Sequence, residues 1–68
     1  MINANKIRAR IVEMGMTQQQ VAEQIGMSAK TFSVKMNTGK FGLDEAYRMV
    51  KVLKIDEPNA YFFADDVA

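Results

Sequence analysis

The side chains that most often do chemistry in a protein are scarce in this sequence. Its 68 residues include neither cysteine nor histidine, which removes disulfides, thiolate metal sites, Cys–His or Ser–His nucleophilic pairs and imidazole acid–base work. Paired carboxylates occur at Asp44-Glu45, Asp56-Glu57 and Asp65-Asp66. Adjacent residues on a helix point about 100° apart and cannot flank one substrate atom, and such pairs are common at helix starts and in tails. No enzyme activity, metal or cofactor is therefore expected. The informative stretch is TQQQVAEQIGMSAKTF, Thr17 to Phe32, which holds three consecutive glutamines, Ala22 and Gly26 four residues apart, and a second helix start.

Composition sets the frame for that stretch. A content of 49% apolar and 25% charged residues is that of an ordinary globular chain, and 68 residues make one domain, spanning 1–68, with a small core and a stability on the order of a few kcal/mol. There is no apolar run of about 18 residues and no signal-peptide core, so no membrane partner is expected and the chain reads as cytoplasmic. The net charge of +1 conceals an asymmetry. Residues 1–40 hold Lys6, Arg8, Arg10, Lys30, Lys35 and Lys40 against Glu13 and Glu23, a balance of +4. Residues 41–68 hold six acids against Arg48, Lys51 and Lys54, a balance of −3. The basic half is a candidate footprint for a polyanion, although ordinary solvated surface has the same look.

Helix starts and stops follow one another quickly along the chain. Asn3 caps a first helix with the apolar stripe Ala4, Ile7, Ile11 and Met14, ending at Gly15. Thr17 caps a second, with Gln20 as its capping-box partner and Val21, Ala22 and Ile25 on the buried side, ending at Gly26. Ser28 caps a third, with Phe32 and Met36 facing inward, ending near Asn37. A fourth begins near Leu43 or Asp44 and buries Leu43, Ala46, Met49, Val50 and Leu53, with acids in its first turn and Lys51 and Lys54 near its last. Asp56-Glu57-Pro58 opens a short fifth that delivers Tyr61, Phe62 and Phe63 to the core or to a partner. No segment alternates with period two, so the fold expected is an all-α compact bundle of four to five short helices.

Ala22 lets the next helix approach closely, and Gly26 can take the left-handed conformation of a very short turn. With these devices in place, Gln18-x-x-Val21-Ala22-x-x-Ile25-Gly26-Met27-Ser28-x-x-x-Phe32 resembles the helix-turn-helix of the Cro and phage-repressor family of bacterial DNA-binding regulators, lambda-repressor-like in fold. The likeness runs from Ile7 to Ile55: LDEAYRMVKVLKI resembles the family's fourth helix, and the NAYFF ending resembles small prophage Cro-like members. In one departure, many members have an apolar residue where Lys35 stands, and here the apolar residue comes next, at Met36. The resemblance implies a helix-turn-helix over 17–37, with the second helix across the DNA backbone and the third in the major groove.

Helical geometry sorts the residues of the third helix. With Phe32 and Met36 inward, the opposite face at about 100° per residue is centred on Lys30 and Val34, with Asn37 a turn further and Thr31 and Ser33 on the flanks. Lys30 can donate to guanine O6 or N7, and an outward Val34 fits a thymine methyl group. Ser33 reaches several base edges or a phosphate. Ala29 falls nearer the buried side; family members often read a base from the matching position, where alanine offers only methyl contact. The resemblance makes Gln18 a phosphate contact and Asn37, Thr38 and Lys40 a second backbone clamp. Ser28 is placed to bind phosphate through its helix N-terminus or to serve as a plain cap. Thr31 falls on the backbone side.

The function expected is a sequence-specific transcriptional regulator of phage or prophage type that occupies operator duplex DNA in a bacterial cell or phage-infected host. A homodimer on half-sites about one helical turn apart is expected, with contacts in the C-terminal segment 56–68 through Phe62 and Phe63, supported by Val52; closing the core is the other role for the two rings. The main alternative is a protein-interaction module, an antirepressor or the antidote partner of a toxin. The near-neutral charge and the lack of arginine from Ala29 to Asn37 favour that alternative.

Overall fold

Each helix begins where a side chain or a proline can take over the unpaired amides of its first turn. In the computed structural model, which describes residues 2–63, five helices follow in order: α1 (Ala4–Glu13), α2 (Gln18–Gln24), α3 (Ala29–Thr38), α4 (Leu43–Val52) and α5 (Pro58–Phe62). Asn3 Oδ1 accepts from the Lys6 amide at 3.1 Å. Thr17 Oγ1 accepts from the Gln20 amide at 3.1 Å while Gln20 Oε1 accepts from the Thr17 amide at 2.9 Å, a complete capping box. Ser28 Oγ accepts from the Thr31 amide at 3.1 Å. At α4 only the return half of such a box exists, because Gly42 has no side chain; its amide donates to Glu45 Oε1 at 2.8 Å. Pro58 stands in the first turn of α5.

The helix ends are closed differently. Gly26, with φ 86°, lets α2 finish in a Schellman turn: the Gly26 amide donates to Glu23 O at 3.2 Å and the Met27 amide to Ala22 O at 3.0 Å. Arginines from other helices take three further carbonyls. Arg48 Nη1 of α4 donates to Ile25 O at 3.2 Å. Arg10 of α1 donates through Nε to Leu53 O at 2.8 Å and through Nη2 to Lys54 O at 3.1 Å, closing α4.

The core is built from the inward stripes: Ile7 and Ile11 of α1, Val21, Ala22 and Ile25 around α2, Phe32 and Met36 of α3, Met49 and Leu53 of α4, then Ile55 and Phe62. Phe41 from the α3–α4 loop meets Phe32 edge to face at 5.7 Å between ring centroids. The α5 end is tied back to the start of α1 by the Asn3 amide on Tyr61 O at 2.7 Å. Among the described residues there is no strand, and the chain is a compact all-α bundle.

Four expectations need correction. Leu43, expected in the core, is 82% exposed: as the first residue of α4 it leaves Gly42 on the outer side, and Ala46, Met49 and Val50 fill the inner one. Helix α3 runs through Thr38 and stops at Gly39, φ 72°, rather than near Asn37. Helix α4 ends at Val52, so Lys54 lies beyond it in the left-handed region with φ 51°. Ala29, placed nearer the buried side, is exposed: it is the first residue of α3, and the helix's first buried side chain is Phe32, three residues on.

Candidate nucleic-acid interface

Helix α3 is held from behind and open in front. Phe32 and Met36 are buried, while Ala29, Lys30, Thr31, Ser33, Val34 and Asn37 are all exposed. The two buried residues sit one turn apart, so the exposed set forms the opposite face and the flanks. Val34 is 53% exposed on this surface, which apart from Ala29 is otherwise polar. Among the described residues Lys30 makes no ion pair closer than 4.0 Å, which leaves its ammonium available.

The expected phosphate ligands divide by what they already bond. Gln18 is the first residue of α2, exposed, beside the amides that open that helix. Ser28 serves as the cap of α3, and its hydroxyl also donates to Thr31 Oγ1 at 3.0 Å, so the two hydroxyls form one unit at the helix start. Thr38 donates its hydroxyl back to Val34 O at 2.9 Å. Its oxygen can still accept, but a phosphate needs a donor, so Thr38 reaches one only by breaking that bond. Lys40 is exposed in the loop that follows.

Two cross-helix contacts fix α3. Arg8 Nη2 donates to Asn37 Oδ1 at 3.4 Å, and its Nη1 donates to Asn5 Oδ1 at 3.4 Å, so a guanidinium of α1 stands beside the C-terminal end of α3. Lys35 Nζ lies 3.2 Å from Glu45 Oε1, with both side chains about seven-tenths buried or more. The Gly42 amide holds the Glu45 carboxyl below its usual range; burial pushes the other way, and the Lys35 ammonium adds to the lowering. Lys35, where the family pattern has an apolar residue, thus joins α3 to α4 by an ion pair.

Sequence reasoning did not find these contacts. Arg8 and Asn37 are 29 residues apart, and Arg48 and Ile25 are 23 apart; no local spacing announces such pairs. They also reduce the basic footprint. Of the six cations in residues 1–40, Lys35 is paired with Glu45, and Arg10 is engaged by Leu53 O, Lys54 O and Glu13. Lys6 stands over the Tyr61 ring at 5.2 Å. Arg8, Lys30 and Lys40 are the cations left near α3.

The carboxylates and the expected dimer contacts lie elsewhere. Asp56 and Glu57 line a cleft with Lys6, Arg10, Lys54 and Tyr61, of mixed charge. Asp65 and Asp66 lie outside the described residues, as does the end of the segment 56–68. Of the three expected dimer contacts, Phe62 is a core residue at 6% exposure and Val52 is half-buried against the core, because the short α5 turns Phe62 inward; only Phe63 is exposed, at 45%. Among the described residues no helix is long and apolar enough to cross a membrane. No family model, curated protein or solved structure matches the chain.

Proposed function

We propose that the protein is a sequence-specific DNA-binding transcriptional regulator, with α2-turn-α3 acting as a helix-turn-helix and α3 entering the major groove of an operator. The observation that carries this reading is the outward face of α3, where Lys30 and Val34 stand exposed on a helix fixed from behind by Phe32, Met36 and the Lys35–Glu45 pair. A lysine donor and an aliphatic side chain on one face suit guanine acceptors and a thymine methyl. The helix starts at Gln18 and Ser28 present amides and a favourable dipole to phosphates on either side of the groove, as in the Cro and phage-repressor family that the sequence resembles.

Selection of bound sequences from random duplex tests this reading. The expected result is a defined recognition element whose affinity falls steeply with salt. If Lys30→Ala and Gln18→Ala both left retention on the selected duplex unchanged, the DNA reading fails. A second reading, a protein-interaction module on the same fold, is favoured by the engagement of Arg10 and Lys35 within the bundle. It predicts no enrichment from the selection at all.

A further inference from the structure

A guanidinium offers donors and no acceptor, so an amide side chain that meets it must present its oxygen. Arg8 of α1 meets two amides: Nη1 donates to Asn5 Oδ1 and Nη2 to Asn37 Oδ1, each at 3.4 Å. Both asparagines therefore direct their NH2 groups away from the arginine. Asn5 on α1 and Asn37 near the end of α3 thus flank a single positive charge. Arg8 is half-buried while both asparagines are exposed, so the charge is held in place and the amides are open to solvent.

These partners set Arg8 apart from the other two arginines. Arg10 is paired with Glu13 and donates to two carbonyls, and Arg48 donates to Ile25 O; those bonds close helix ends. Arg8 closes none. Among the described residues it makes no ion pair within 4.0 Å, and neutral amides orient its charge without cancelling it. Three of the five guanidinium N–H groups remain, with two more on each amide. Donors gathered around one charge, with no carboxylate among them, suit an oxyanion. Asn37 alone would serve one poorly, because the C-terminal end of a helix carries roughly half a negative elementary charge; the full positive charge of Arg8 beside it reverses the local sign. We propose that Asn5, Arg8 and Asn37 form a cradle for one phosphate group, supplied on the DNA reading by the duplex backbone. The proposal rests on that reading for the source of the phosphate and goes beyond it by making α1 part of the grip. It also restricts Asn37: with Oδ1 held by Arg8 the amide presents donors only, and cannot make the paired donor and acceptor bonds that read adenine.

The test has two arms, both on the full chain, with circular dichroism to confirm that each variant is folded. In the first, nitrogen-15-labelled protein is titrated with inorganic phosphate at constant ionic strength, with chloride as the control. Phosphate is expected to move the side-chain NH2 signals of Asn5 and Asn37 together and saturably, and Asn37→Asp, which gives Arg8 a carboxylate to pair with, is expected to abolish the shift at Asn5. In the second, the selected duplex carries a neutral methylphosphonate at one backbone position at a time. One position in each recognition element is expected to weaken wild-type binding several-fold when neutralised and to leave Arg8→Leu unaffected. Arg8→Lys keeps the charge but lacks the fork that holds both amides, and is expected to bind the duplex several-fold more weakly than wild type. Binding by Arg8→Lys equal to wild type overturns the cradle, since charge alone would then suffice. Amide signals that phosphate moves no more than chloride overturn it too, whether or not DNA is bound. A saturable phosphate response in a chain that retains no duplex upholds the cradle and places the failure in the DNA reading.

Discussion

Lys30 and Val34 share a face of α3, yet they ask different things of a base pair. A lysine is a point donor that can serve any nearby acceptor, and phosphates compete with guanine for it. An aliphatic side chain has one specific target in the groove, the thymine methyl, so Val34 carries the sharper test. Replacing the contacted thymine by uracil is expected to weaken binding to the wild-type chain; in Val34→Ala the same replacement should have no effect. A methyl effect that survives in the mutant removes Val34 from the readers. Lys30→Ala is expected to cost about 1–3 kcal/mol against the preferred duplex if it contacts a base, and to relax the preference at that position. A loss that is uniform across sequences would make it a phosphate contact instead. Gly26 poses a different residue-scale question. Its φ is 86°, and an added Cβ would lie 3.6 Å from Arg48 Nη1, ordinary contact; Gly15, with φ 70°, has open space around it. Backbone conformation alone then sets the cost, and Gly26→Ala and Gly15→Ala are expected to destabilise equally, by about 1–2 kcal/mol in urea unfolding. A clearly larger loss at Gly26 would mean that the Arg48 bond to Ile25 O fails with it.

At the scale of the elements, the Glu45 carboxylate, held first by the Gly42 amide and then by the Lys35 ammonium, joins α3 to α4 and gives that junction a pH dependence. The folded state lowers the pKa of Glu45 from its ordinary 4.5, so the stabilisation is fully present above that value and is lost as pH falls through the lower folded-state value. The stability difference between wild type and Glu45→Gln, read from urea unfolding, is therefore expected to be constant near neutrality and to shrink as the solution is acidified below the ordinary glutamate range. A difference that does not change with acidification would mean that neither the Gly42 amide nor Lys35 favours the charged carboxylate over the neutral acid. Much of this level of organisation could be read from the chain itself. Asn3, Thr17 with Gln20, Ser28 and Pro58 mark helix starts because a cap acts on amides only two or three residues away. The inward stripes followed for the same reason, since helical period is local. What escaped is what depends on neighbours brought together by folding. Leu43 fits an apolar stripe, but whether a first-turn residue faces the core depends on where the preceding loop enters, and here it faces out. The partners of Arg8, Arg10 and Arg48 could not be read from local spacing, because they are a side-chain amide and backbone carbonyls far away in the chain.

Across the whole molecule, the charge that matters for a polyanion is smaller than composition suggests. The +4 balance of residues 1–40 counts Arg10 and Lys35, both of which are engaged inside the bundle. Engagement does not remove their field, but it withholds their donors from a phosphate. Arg8, Lys30 and Lys40 remain near α3, and of these Lys40 stands in the loop beyond the face that could meet bases. Counterion release scales with the number of phosphates neutralised by cations, at about 0.9 per contact on duplex DNA. For three cations the slope of log K against log salt is then expected to be about −3 per protomer, shallower than six would give. Lys40→Ala is the decisive variant: it is expected to reduce the slope by about 1 while leaving the order of preferred sequences unchanged. Arg8→Ala removes a guanidinium that also holds Asn37, so it is expected to reduce the slope and, by loosening the end of α3, to blur sequence preference as well. A wild-type slope near zero would mean that neither the loop nor the helix starts grip a phosphate, and the protein-interaction reading would take the place of the DNA one.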